Sequence, residues 1–123
     1  MPVTINGTSG VSLPGLTLSG PYNEGVVAIG NSGTAKTLAL TNGTYQSCTL
    51  TGNCTFTMPA LAPGVSFILN LNTGAGSFTA TFTGVKFPFG TAPVITTTAS
   101  RNDILSFICD GTFWYGSFSQ AFA

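Results

Sequence analysis

From Thr34 to the end of the chain, apolar and polar side chains alternate with the two-residue period of β-strands, and Gly, Pro, Asn and Asp interrupt them at short intervals. Ala35 to Leu40 reads as a first short strand, stopped by Asn42-Gly43. Gln46, Cys48 and Leu50 alternate with Tyr45, Ser47 and Thr49, and after Thr51-Gly52-Asn53 the pattern resumes as Cys54, Phe56 and Met58, which predicts a β-hairpin. A second hairpin is predicted from Val65, Phe67, Leu69 and Leu71, a turn at Gly74 to Gly76, and Phe78, Ala80 and Phe82 on the return. Val85 to Pro93 contains Pro88 and Pro93 and reads as an ordered loop or a sheet edge, and Val94 to Thr98 as a brief pairing. Ile104 to Cys109 and Phe113 to Phe118 are the arms of a third hairpin, with Asp110-Gly111 as a type I′ turn signal. The Thr and Ser residues on one face of each run suit the solvent side of a sheet.

No segment asks for a helix. About seven short strands at regular spacing predict an all-β module, an antiparallel β-sandwich or a jelly-roll-like fold, over residues 34–123. Residues 1–33 differ, because Gly, Pro, Ser, Thr and Asn recur too often for a helix or a long strand. Val3, Ile5, Val11, Leu13, Leu16 and Leu18 are nevertheless more apolar than a solvated tail requires. The segment is expected to be an extended N-terminal arm whose apolar residues anchor it in grooves of a neighbour, the alternative being a linker. The closing Gln120-Ala121-Phe122-Ala123 is apolar enough to dock.

Composition sharpens this picture. Of 123 residues 43% are hydrophobic and 5% charged, with a formal net charge of zero, whereas an ordinary soluble domain is about 25% charged. A free monomer keeps itself apart with a charged surface, so most of this one is expected to be covered by copies of itself or by neighbours. Glu24, Lys36, Lys86, Arg101, Asp103 and Asp110 are scattered singly, which disfavours nucleic acid and an anionic membrane as partners. No run approaches the roughly 18 apolar residues of a spanning helix, and Met1 to Gly7 has no signal-like n-region or h-region.

Candidate chemistry is sparse. The chain has no histidine, the usual general base. Asp103 and Asp110 fall roughly 20 Å apart on one strand, too far for a glycosidase pair, and are read as a cap or partner for Arg101 and as a turn residue. No catalytic, cofactor or metal site is expected. Cys48, Cys54 and Cys109 do not form an even disulfide framework and are read as buried thiols made in a reducing cytoplasm, with a Cys48–Cys54 bridge as the alternative. Asn6, Asn42 and Asn53 match the glycosylation acceptor pattern, a chance product of a Thr- and Asn-rich chain. Phe113, Trp114 and Tyr115 form an aromatic group suited to core or interface packing, or to stacking on a sugar.

The stretches Leu38-Ala39-Leu40-Thr41-Asn42-Gly43-Thr44 and Cys48-Thr49-Leu50-Thr51-Gly52-Asn53-Cys54-Thr55-Phe56 resemble a β module of bacteriophage tail-fibre and virion structural proteins. Val85-Lys86-Phe87-Pro88, Gly90-Thr91-Ala92-Pro93 and Asp110-Gly111-Thr112-Phe113-Trp114-Tyr115-Gly116 are similar to it too, so the likeness spans about residues 34–123. Phe87 stands where many members carry Trp, and the cysteine pair is unusual. The resemblance implies a non-enzymatic virion surface component made in the host cytoplasm. It implies a homotrimer whose other partners are virion proteins such as the major capsid protein. The chain has no shaft of collagen-like repeats, coiled coil or long β-helix in this reading, which favours a capsid decoration (cement) protein. A short tail-fibre or tail-tip component, or a carbohydrate-binding host-recognition module, is the alternative.

Overall fold

A computed structural model describes residues 13–123, so Val3, Ile5 and Val11 lie outside the described residues. It is all-β. Nine strands, β1 (Val26–Asn31), β2 (Ala35–Thr37), β3 (Tyr45–Thr49), β4 (Cys54–Thr57), β5 (Ser66–Asn72), β6 (Ala80–Thr83), β7 (Val85–Lys86), β8 (Asn102–Cys109) and β9 (Trp114–Phe122), are joined by loops and two short 3-10 turns, Leu40–Asn42 and Pro88–Gly90.

The pairing departs from the antiparallel expectation. The larger sheet has the order β1-β3-β5-β8-β9-β7 and the smaller β2-β4-β6. β1, β3 and β5 run parallel in the first, and β2, β4 and β6 run parallel in the second. The chain visits the two sheets alternately, so β1-β2, β3-β4 and β5-β6 are three stacked turns of a coil. The two hairpins predicted at Thr51-Gly52-Asn53 and Gly74 to Gly76 are corners between sheets, which overturns the antiparallel sandwich or jelly-roll pairing there. Only β5-β8 and β8-β9 are antiparallel. A hairpin turn and a coil corner both follow an alternating strand with Gly and Asn, so period alone does not separate them. β1 also places the ordered module's start ahead of Thr34.

Each corner is locked to the next by side chains that replace ladder bonds. The Gly33 N–H donates to Thr51 Oγ1 at 3.0 Å and the Thr51 N–H to Ser32 Oγ at 3.1 Å, tying the first corner to the second. The Thr79 N–H donates to Asn53 Oδ1 at 3.0 Å, tying the second to the third. Stacking is close enough that a Cβ on Gly74, whose φ is +59°, would meet the Leu50 carbonyl oxygen.

Inside the coil, inward positions of successive turns lie over one another. Phe56 stacks on Phe82 with centroids 5.0 Å apart and planes 11° from parallel, and Phe82 reaches Phe107 of β8 at 5.4 Å. Phe107 continues to Phe67 at 5.1 Å, and Phe67 meets Trp114 edge-on at 5.5 Å. One run of aromatic contacts thus crosses from the small sheet to the large one. Leu38, Leu50, Leu69, Leu71 and Leu105 fill the space around it, each at most 1% exposed. Most outward positions are polar, with Thr55 over Thr81 and Thr57 over Thr83 on the small sheet and the Asn72 amide donating to Asn102 Oδ1 at 2.8 Å on the large one. A parallel sheet normally reads as a continuous apolar run because both faces are covered. Here one face is wet, and the strands alternate.

Both ends of the coil are closed. Lys36 pairs in register with Phe56, in the first-turn position that Phe56 and Phe82 occupy in the later turns. Its ammonium donates to the Ile29 carbonyl at 2.7 Å and the Asn31 carbonyl at 3.3 Å, so an inward-pointing charge stands where another aromatic would invite further stacking. At the other end Phe87 packs edge-on against Phe82 at 6.3 Å and against Phe118 at 6.1 Å. Gly116 makes room for the Phe87 ring, which a Cβ there would strike at 2.5 Å.

Asp103 is fully buried at the start of β8, and of the two roles expected its bonds fit the cap and not the Arg101 pairing. Its carboxylate accepts from the Thr96 N–H at 2.8 Å, the Thr96 hydroxyl at 2.7 Å, the Ala121 N–H at 2.9 Å and the Gln120 amide at 3.2 Å. It joins the Val94 to Thr98 segment to the end of β9. Burial pushes its pKa up, but these donors outweigh burial and hold it below the ordinary carboxylate value.

A depressed folded value means that Asp103 contributes stability above the unfolded carboxylate pKa of about 4, and that this is lost as pH falls through the lower folded value. Asp103→Asn is expected to cost about 2 to 4 kcal/mol near neutral pH and to flatten the acid limb of the stability profile, measured by urea melts from neutral pH downward. Lys36→Met keeps an apolar stem above Phe56 but removes the donor to two carbonyls. A loss of about 1 to 3 kcal/mol in the same assay is expected.

Candidate functional site

The antiparallel hairpin β8-β9 extends the large sheet beside β5, and the outer face of these three strands carries a groove. Strand alternation sends Phe67, Leu105, Phe107, Cys109 and Trp114 inward, which leaves Ser66, Ile68, Ser106, Ile108, Tyr115 and Ser117 outward. Register sets them in two rows, Ser66–Ile108–Tyr115 and Ile68–Ser106–Ser117. Together with Glu24 and Thr44 at one rim they enclose about 400 Å³, within the range of small-ligand sites. Ile108 is 56% exposed and Tyr115 41%, an apolar floor where the other outward positions are mostly Ser, Thr and Asn.

Two carboxylates organise the surroundings, Glu24 at the rim and Asp110 in the turn to which Tyr115 is bonded. The Thr44 hydroxyl donates to Glu24 Oε2 at 2.6 Å and the Tyr22 hydroxyl to Oε1 at 3.5 Å, which fixes the root of the arm at the groove. At the far side, Asp110 Oδ1 accepts the N–H groups of Thr112 and Phe113, each at 2.8 Å, and the Tyr115 hydroxyl donates to Oδ2 at 3.2 Å. The predicted hairpin is present, but Asp110 shapes it into a four-residue loop through Phe113 in place of a two-residue type I′ turn. Those N–H donors hold the Asp110 pKa below its ordinary value. Desolvation, with the hydrogen bond to and the negative charge of Asp110, raises that of Tyr115. Lys86 lies 3.5 Å from the Phe113 ring centroid, and Phe113 meets Tyr115 edge-on at 6.4 Å.

Of the three aromatics singled out by sequence, Phe113 and Tyr115 are therefore on the surface and face one another. Trp114 is 2% exposed and its indole N–H donates to the Pro59 carbonyl at 3.0 Å, so it is a core residue and not a surface one. Leu13, Leu16 and Leu18 are all exposed. Ile68 and Ile108 escaped the sequence reading. Their signal was present, an isoleucine at an outward strand position where hydroxyl residues are the rule.

Glu24 and Asp110 are both occupied as acceptors, and the groove floor offers hydroxyls, isoleucines and a phenol. The arrangement suits binding through apolar contact and neutral hydrogen bonds. Among the described residues no group of three or more His, Cys, Asp or Glu is placed to hold a metal. Cys48, Cys54 and Cys109 are buried thiols, and burial pushes Cys48 and Cys54 above the usual thiol pKa. A smaller hollow of about 150 Å³ lies farther along the same face, lined by Asn70, Asn72 and Asn102 among others. No family model, no curated protein and no solved structure matches this chain.

Asp110→Asn preserves an acceptor for the turn but removes its charge. The Tyr115 titration midpoint, followed by NMR of the ring, is expected to fall toward the ordinary tyrosine value of about 10.

Proposed function

We propose that this chain is a non-enzymatic structural subunit of a bacteriophage particle, a capsid decoration protein on the outer surface that assembles as a homotrimer and contacts virion proteins such as the major capsid protein. The observation that carries the assembly part of this reading is the exterior of a finished core. Apolar side chains stay exposed at Leu16 (69%), Tyr22 (67%), Val26 (68%), Val94 (81%) and Ile108 (56%), and only 5% of residues carry charge to keep copies apart. The phage setting rests on the resemblance of residues 34–123 to virion β modules.

A short tail-fibre or tail-tip component is the second reading, and the coil favours it. Three stacked parallel turns are an element of the kind a fibre shaft is built from, on a chain whose strand periodicity had suggested no shaft. The burial of Trp114 takes one ring out of the candidate sugar-stacking group, and the two that stay exposed, Phe113 and Tyr115, meet edge-on and not as one flat platform.

The full-length chain is expected to be a stable oligomer at micromolar concentration in multi-angle light scattering, and a monodisperse monomer overturns the assembly reading. Densitometry of purified particles separates the two locations. High copy number on the shell supports a decoration protein, low copy number a tail component, and absence from particles refutes both.

A further inference from the structure

The arm and the groove are two uncovered apolar features among the described residues, and they adjoin. Every residue from Leu13 to Ala28 is exposed, so the described residues leave this stretch uncovered. Its root is nevertheless fixed, because Tyr22 and Glu24 are bonded at the groove rim through Thr44. From Glu24 back to Leu18 an extended chain reaches up to about 20 Å, enough to carry the leucines beyond the groove beside which they start. Leu16 and Leu18 are two positions apart, so in an extended conformation both point to the same side, about 7 Å from one another.

The chemistry of arm and groove agrees. No charged side chain occurs before Glu24, and Leu13-Pro14-Gly15-Leu16-Thr17-Leu18-Ser19 offers leucine and hydroxyl groups alone. The groove offers Ile68, Ile108 and Tyr115 with three serines, and its one acid, Glu24, disfavours an anionic partner. An uncharged, leucine- and threonine-bearing extended strand is the occupant these surfaces suit, and this chain supplies one per copy, exposed along its length.

We infer that the groove at Ile68, Ile108 and Tyr115 receives the Leu13–Leu18 stretch of a second copy of this chain. The inference rests on the assembly reading above and names its contact. An arm that leaves one subunit and enters the next makes a head-to-tail interface, which closes into a ring when the rotation between subunits permits. The bound stretch exchanges the exposed leucines and Ile108 for mutual burial, offset by the cost of ordering the arm.

Two single variants, Leu18→Cys and Ile108→Cys, test the contact when mixed in equal amounts and oxidised. Both sites are exposed, and the three native thiols are buried and do not compete. A Leu18–Ile108 cross-link between different chains, identified by mass spectrometry, is expected. The doubly substituted chain that cross-links only within itself would show the arm folding onto its own groove and overturns the inference. The absence of this cross-link in both samples also overturns it. Light scattering of the unmodified protein separates the two readings. An oligomer without the cross-link sinks only this contact, and a monomer sinks the assembly reading with it. Ile108→Asp and Leu16→Asp/Leu18→Asp, each folded by circular dichroism, are expected to weaken self-association at least tenfold, and unchanged association in both counts against the groove.

Discussion

The rest of the structure depends on the registration of one coil turn over the next. Phe56 lies on Phe82 because β4 pairs with β6 residue for residue, and that pairing is fixed at the corners by Asn53, Thr51 and Ser32. A slip of one residue would turn Phe56 and Phe82 outward and bring Thr55 and Thr81 into the core. From Phe82 the aromatic contacts run through Phe107 and Phe67 to Trp114, so the same registration sets how the small sheet meets the β8-β9 hairpin. The groove on the outer face is positioned by this inner column, since the side chains of β5, β8 and β9 alternate about a fixed inward set.

A coil of parallel strands has two ends, and unfinished ends are templates for further stacking. Each is closed here by a different means. Lys36 sets an ammonium and its two carbonyl partners at the first turn, while Phe87 and the following proline turn cover the last. Charge is so scarce in this chain that its use at one coil end, at the buried Asp103 junction, at the groove rim and in the β8-β9 turn accounts for Lys36, Asp103, Glu24 and Asp110. The exterior between these points carries little charge and several large apolar side chains. The closures stop open-ended stacking along the coil, and the lateral faces keep their apolar side chains exposed.

The sequence by itself determined the β-rich character from Thr34 onward, the inward and outward alternation of β3 to β6, the wet face of Thr and Ser there, and the apolar residues of the arm. These are local properties, since alternation and turn residues act within a few positions. It also separated Trp114 from Phe113 and Tyr115, because neighbours on a strand face opposite sides. Only the tertiary structure decided what pairs with what. Thr55-Phe56-Thr57 and Thr81-Phe82-Thr83 repeat the same pattern and lie stacked in parallel, yet the Gly- and Asn-rich segments between strands satisfy a hairpin equally well. Likewise the groove joins Ile68, Ile108 and Tyr115 with Glu24, residues distant along the chain. The choice between hairpin and coil is made by long-range burial of the aromatic column and by corner-to-corner hydrogen bonds, energies that no single segment contains.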